Sequence, residues 1–282
     1  MFTKLVTELN RLRLTAAIVL AAFLSATAPV KADAVQLGFI LDKSGSIGST
    51  GWDTITDSLA DALMLVPTDG SFEISVVSFA ASSLLVVDTV LIDSMAALMG
   101  VKDDITADPF IGGDPDLTRA FDLMLSTLQG SANFNGASPG DGLGTSYINL
   151  ATGGFPCCDT NPDAQDLADA RAEVVVDLIS AGVDNISVEA IGFSGSILTL
   201  RNQFCSGGGN TPVGDCSTAG TFNFPAQGFV VDLADADAYA DAITQKILII
   251  TDQEVPEPAT LTLFGLGLLG LGVARRRKKL AA

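Results

Sequence analysis

Asp42, Ser44 and Ser46 stand at alternate positions in the run Asp42-Lys43-Ser44-Gly45-Ser46-Ile47-Gly48, a D-x-S-x-S pattern. Three oxygen-bearing side chains at alternate positions on a turn can point to one centre, and Gly45 and Gly48 give that turn backbone freedom. One carboxylate and two neutral hydroxyls suit a hard cation such as Mg²⁺, Mn²⁺ or Ca²⁺. Two of the three ligands carry no charge, so a bound ion would keep much of its own and attract a carboxylate from a partner at an open position. That is the chemistry of binding. The same residues have a second use, because Asp and Ser ahead of a helix are good N-caps without any ion.

The composition disfavours catalysis. The chain contains no histidine, which removes the usual general base of Ser and Cys hydrolases and the commonest zinc ligand. Lys, Asp and Glu remain available as bases, but no acid–base constellation stands out, and the chain is expected not to be an enzyme. The formal charge is -18. Nine of the 15 Lys and Arg lie at the ends, at Lys4, Arg11, Arg13, Lys31, Arg275, Arg276, Arg277, Lys278 and Lys279, so the middle is more acidic still. Such a surface repels phosphate backbones and argues against nucleic acid as a partner; divalent cations and cationic partners match it better.

The elements that must position the motif alternate short apolar strands with amphipathic stretches of helical length, the pattern of βα units and a mostly parallel sheet. Residues 35–42, 72–80, 83–92, 146–152, 185–193 and 228–233 read as strands, with the second and third joined as a tight antiparallel pair. Helices are predicted over 52–66, 94–102, 117–129, 163–181, 197–204 and 234–251. The fold class is therefore α/β, a doubly wound, mostly parallel sheet flanked by helices with one short antiparallel edge strand. In such a sheet ligands bind beyond the carboxyl ends of the strands, where the Asp42 motif sits. Trp52 reads as packing at a helix start. Asp163, Asp166, Asp169 and Asp177 read as a solvated helix face, and loops 130–144 and 205–216 as recognition surfaces or spacers.

Motif, strand context and element order together resemble the von Willebrand factor type A family over roughly residues 35–250. The resemblance implies a metal-ion-dependent adhesion site, with Asp42, Ser44 and Ser46 as its first loop. The family's second loop places a Thr where Gly113-Asp114-Pro115-Asp116-Leu117-Thr118-Arg119-Ala120 has Pro115, leaving Asp114 or Asp116 as substitute oxygen donors. Its third loop places an Asp where Leu150-Ala151-Thr152-Gly153-Gly154 has Gly153, a gap for water or Asp159 to fill.

Both ends read as export signals. Residues 1–34 combine basic residues, the apolar run 14–24 and small residues at Ala26, Ala28, Ala32 and Ala34, a secretory signal peptide with cleavage after Ala34 or Ala32. The tail joins Pro256, Glu257 and Pro258 to an apolar segment over 259–274 and a basic cluster, and resembles the PEP-CTERM sorting signal of Gram-negative bacteria. That resemblance implies a transient inner-membrane helix with its basic end in the cytoplasm, then cleavage by an exosortase-type enzyme. Sixteen helical residues reach about 24 Å, short of the roughly 30 Å hydrocarbon core, which suits a segment later removed. In an exported chain the four cysteines are free to form disulfides. Cys205 and Cys216 enclose a Gly-rich loop and look like one staple, while cross-pairing with the adjacent Cys157 and Cys158 is an equal alternative.

The domain order is thus signal peptide 1–34, type A-like domain 35–252 and sorting signal 253–282. The expected function is cell-surface or matrix adhesion to a protein or polysaccharide partner, with a metal-independent structural protein of the matrix or envelope as the alternative.

Overall fold

A computed structural model describes residues 34–134, 145–153, 177–192, 204 and 228–251. Six strands form one sheet: β1 (Val35–Asp42), β2 (Phe72–Phe79), β3 (Ser83–Leu91), β4 (Ser146–Thr152), β5 (Asn185–Ile191) and β6 (Phe229–Leu233), in the order β3-β2-β1-β4-β5-β6. All neighbours pair in parallel except β2 and β3. Four helices have both ends described: α1 (Gly48–Leu63), α2 (Met95–Ala107), α3 (Leu117–Gly130) and α4 (Ala236–Thr251). The doubly wound sheet with one antiparallel edge strand is the architecture expected from the sequence.

Strands covered on both faces must be apolar on both, and β1, β2 and β5 are buried along nearly their whole length,. Their side chains alternate between two cores. Leu37, Phe39, Leu41, Ile74 and Val76 face α1, α2 and α4, while Ile40, Val77, Ile148, Leu150 and Val188 face α3, the helical residues 177–181 and Phe204. Gly38 is glycine because α3 lies so close: a Cβ there would stand 2.7 Å from Met124 Sδ.

Helix bounds differ from the periodicity at their ends. α1 begins at Gly48, four residues before Trp52, and stops at Leu63, where the N–H groups of Met64, Leu65 and Val66 turn back onto the carbonyls of Asp61, Ala62 and Leu63. α2 runs on to Ala107, because Ile105 still packs in the core and the helix is released only at Asp108. The edge strand β3 carries a register shift opposite Ile74 and Val76, with Thr89 at φ 26°. The Thr89 hydroxyl meets Ser75 Oγ at 3.0 Å and donates to the Thr127 carbonyl, so the irregular segment is tied to its neighbours. A bulge of this kind makes an exposed edge a poor template for another strand.

The signal-peptide residues 1–33, the sorting segment 252–282 with its apolar stretch 259–274, Asp159 and the four cysteines Cys157, Cys158, Cys205 and Cys216 lie outside the described residues. Most of the helices expected over 163–181 and 197–204 does too. Among the described residues no helix is long and apolar enough to cross a membrane.

Leu59 is fully buried where α1 meets the sheet. Leu59→Ala is expected to cost about 2–5 kcal/mol through lost burial and a residual cavity, read as a lowered midpoint in urea denaturation with an unchanged slope.

Candidate functional site at the carboxyl rim of the sheet

The strand order reverses between β1 and β4. The chain leaves β1 for the face covered by α1, whereas the helical residues 177–181 that precede β5 pack on the opposite face. Loops that diverge to opposite faces open a crevice at such a switch point, and Asp42 ends β1 there beside Thr152, which ends β4.

Asp42 and Ser44 are buried, while Ser46 is exposed, so the motif leads from the interior to the surface. Asp42 Oδ1 accepts the Ser44 N–H at 2.8 Å. Oδ2 accepts the Thr152 hydroxyl at 2.9 Å and the Gly153 N–H at 3.2 Å. Burial pushes the Asp42 carboxyl upward from the usual carboxylate range, against the hydrogen bonds from Ser44, Thr152 and Gly153 that favour the charged form,. Ser44 Oγ and Ser46 Oγ lie 3.0 Å apart.

None of these oxygens caps α1. The N-cap residue is Ile47, and it makes no side-chain capping hydrogen bond. Capping is met elsewhere: Ser94 accepts from the Ala97 N–H ahead of α2, and Asp116 accepts from the Arg119 N–H ahead of α3. Asp116, one of the two substitute donors considered from the sequence, is therefore engaged as a cap and also pairs with the Arg119 guanidinium. Asp114, the other, is exposed on the same loop.

That loop is nevertheless bound to the motif. The Gly45 N–H donates to the Gly113 carbonyl at 3.0 Å and the Gly112 N–H to the Lys43 carbonyl at 3.1 Å. Gly112 and Gly113 have φ of 74° and 100°, which favour glycine,. Lys43, the variable residue between Asp42 and Ser44, is fully buried. Its Nζ donates to both carboxylate oxygens of Asp108, at 2.8 and 3.0 Å, and stands 5.7 Å from the Trp52 ring centre. The Trp52 indole N–H donates to the Asp108 carbonyl at 2.8 Å. Trp52 is thus packing, as expected from its place, with a polar task added.

Gly153 is more than a missing acid. A Cβ at this position would lie 2.4 Å from Ile47 Cδ1 and 2.9 Å from Ile47 Cγ1. The space that a side chain from the third loop would need is taken by Ile47. Sequence reasoning sought a carboxylate here and passed over Thr152, whose hydroxyl reaches Asp42; only the adjacency of β4 to β1 brings the two together.

The residues fit a hard cation with one charged ligand. Bond lengths of about 2.1 Å around a six-coordinate ion place neighbouring oxygens about 3.0 Å apart, which is the separation of the two serine hydroxyls. Beside Ser46 opens a cleft of about 350 Å³, lined by Ile47, Thr50, Thr54, Ile191, Asp235 and Asp237 among others. Asp235 accepts from the Ala238 N–H at the start of α4. The cleft gives a partner room next to the motif, and its acidic wall suits cations and hydroxyl-rich groups.

Residues 254–278 match the PEP-CTERM protein-sorting motif. No curated protein matches the chain. Solved structures that share its fold include a von Willebrand factor type A protein from Catenulispora acidiphila, at 13% identity and TM-score 0.52 over 79% of this chain and 44% of that one. The manganese-loaded TRAP protein of Plasmodium vivax aligns at 19% identity and TM-score 0.51 over 76% of this chain and 74% of that one. The pilus adhesin SpaC of Lactobacillus rhamnosus GG aligns at 11% identity and TM-score 0.56, over 79% of this chain but only 31% of the adhesin. This chain therefore spans about a third of the adhesin's length. The shared architecture is that of a type A domain, and the chain combines it with a sorting motif near its end.

Two substitutions check the local geometry. Gly153→Ala is expected to lower stability by about 1–3 kcal/mol through overpacking, and Ile47→Ala in the same chain to recover most of that loss in thermal melts. Lys43→Met, which strands the Asp108 carboxylate in the interior, is expected to cost about 3–5 kcal/mol, measured by urea denaturation.

Proposed function

We propose that the chain is an exported cell-surface or extracellular-matrix protein that binds a partner at the carboxyl rim of its sheet, through a divalent cation held by Asp42, Ser44 and Ser46. The observation that carries this reading is that the Ser44 hydroxyl stands between the Asp42 carboxylate and the Ser46 hydroxyl at the switch point, while the N-cap of α1 is Ile47 and makes no side-chain capping bond. A buried carboxylate with two hydroxyls at ligand spacing leads out to an exposed serine and an open cleft, an arrangement suited to grasping something outside. The ion would be Mg²⁺, Mn²⁺ or Ca²⁺, and with one charged ligand it would keep enough positive charge to draw in an acidic group of a partner. Asp114 stands on the loop bound to Gly45 and is the acid nearest in sequence to that contact. The partner is a protein or a polysaccharide at the cell surface.

Export rests on the sorting motif at 254–278, with an exosortase-type enzyme as processing partner and a membrane-held intermediate in a Gram-negative bacterium. The manganese-loaded state named for the Plasmodium protein and the adhesin role named for SpaC are compatible with this reading. Binding without turnover agrees with a chain that has no histidine.

A second reading, a structural protein of the matrix or envelope that needs no cation, draws on Pro115 and on Ile47 filling the place of a third-loop acid. Thermal melting of the full chain in EDTA and then in millimolar Mg²⁺, Mn²⁺ or Ca²⁺ separates the two. A cation site predicts stabilisation of about 1–3 kcal/mol at saturating ion, abolished by Asp42→Ala together with attachment to cells or matrix. The absence of any shift with every ion, with attachment unchanged in Asp42→Ala, would overturn the cation reading in favour of the second.

A further inference from the structure

Away from the rim, four polar side chains meet between the sheet and α4. Asn149 of β4 and Ser187 of β5 are register partners. Glu189 lies two residues further along β5 and so shares their face. Lys246 reaches them from α4. All four are buried. Lys246 Nζ donates to Glu189 Oε1 and, at 2.8 Å, to Ser187 Oγ. Asn149 Nδ2 donates to Glu189 Oε2 and, at 3.3 Å, to the same Ser187 hydroxyl. The amine and the amide are thus held by one carboxylate and one hydroxyl in common, which brings the lysine nitrogen up to the asparagine side chain.

The surroundings are dry. The Phe229 ring centre is 4.7 Å from Lys246 Nζ, and Leu37, Phe39 and Ile250 line the same space. Burial pushes the Lys246 ammonium downward from the ordinary lysine range, against the attraction of Glu189, and a desolvated lysine is a nucleophile. Asn149 Oδ1 has no hydrogen-bond partner among the described residues. A cavity of about 10 Å³ touches Asn149, Ser187 and Lys246, room for one molecule the size of water. A buried ion pair alone is weak support for stability and has no need of an amide placed against it.

We propose that Lys246 and Asn149 condense into an intramolecular amide bond, with Glu189 carrying the protons. Glu189 takes one proton from the Lys246 ammonium. The neutral Nζ attacks Cγ of Asn149 and negative charge gathers on Oδ1, while Nδ2 stays against Glu189, where it can receive a proton. A second proton passes from Nζ by way of Glu189 to Nδ2. The Cγ–Nδ2 bond then breaks, ammonia leaves, and it takes the proton remaining on Glu189 as it departs as ammonium. The Nζ–Cγ bond has formed, nothing has been oxidised or reduced, and Glu189 is again a carboxylate. Holding amine and amide on the same carboxylate and hydroxyl supplies the rate advantage of an intramolecular reaction, which reaches effective molarities of about 10⁵ M or more in well-oriented cases. The product fastens α4 to β4, beside the central strand, and does not depend on the cation reading.

The test is mass spectrometry of the full chain, reduced, denatured and digested. The expected result is one branched peptide joining the segments that contain residues 149 and 246, lighter than their sum by one ammonia. Lys246→Arg, which keeps the charge but cannot form the bond, and Glu189→Gln are each expected to release two separate peptides of unmodified mass. Recovery of the two unmodified peptides from the wild-type chain overturns the proposal, and a branched peptide persisting in Glu189→Gln overturns the role given to Glu189. The wild-type and Lys246→Arg masses decide the outcome even if Glu189→Gln fails to fold.

Discussion

The rim of the sheet is organised around a carboxylate that has been taken out of water. Among the described residues Asp42 receives hydrogen bonds from neutral donors, the N–H groups of Ser44 and Gly153 and the hydroxyls of Ser44 and Thr152. Leaving such a group short of partners inside a protein costs several kcal/mol, so the segments that supply donors are fixed by it. The end of β4 is drawn to the end of β1, and the turn after β1 folds back so that Ser44 can donate. The lysine next to Asp42 does not neutralise it. Lys43 is committed to Asp108, and that pair fastens the loop after α2 under the same turn. A charge with donors but, among the described residues, no cationic side chain against it, at the mouth of a crevice, is an environment that a small positive ligand would relieve.

Polar groups elsewhere in the sheet obey the same rule at other depths. At the opposite rim Glu73 accepts from Gln36, Ser131 and Asn133, and Gln36 accepts from Ser146. This ties β1, β2 and β4 to the end of α3. In the interior Glu189 gathers Lys246 and Asn149. Each cluster draws on elements distant in sequence, so each closes only when the sheet has its native order. Buried polar partnerships of this kind penalise wrong strand arrangements more than they raise stability.

Much of the architecture was legible in the sequence because strands covered on both faces must be apolar throughout. Residues 35–42 and 146–152 match the observed strands to the residue, and the few residues between β2 and β3 foretold their antiparallel pairing. The position of Asp42-x-Ser44-x-Ser46 at the end of a strand was legible for the same reason. What could not be read was anything that depends on strand order. Thr152 meets Asp42 because β4 is the neighbour of β1, and Ile47 excludes a side chain at 153 because two loops cross there. Asn149, Glu189 and Lys246 were invisible as a group: each stands on a different element far apart in sequence, and only the sheet order and register bring them together. The helix bounds strayed where periodicity ends before the backbone does, as at Gly48, whose φ of 70° starts α1 with no capping side chain.

The direction of α4 has a mechanical consequence. Ala236 at its start lines the cleft with Ser46, while Ile250 near its end lies with Leu37 and Gly38 close to the start of β1. The helix therefore runs back against the strands, and the described domain begins at Ala34 and finishes at Thr251 on the side away from Asp42. Both ends of the described domain thus lie away from the crevice. A pull applied between the rim and either end of the described domain would run along the strands and load the hydrogen bonds that join β1 to β2 and β4 in shear, so that they resist as a set and do not unzip one by one.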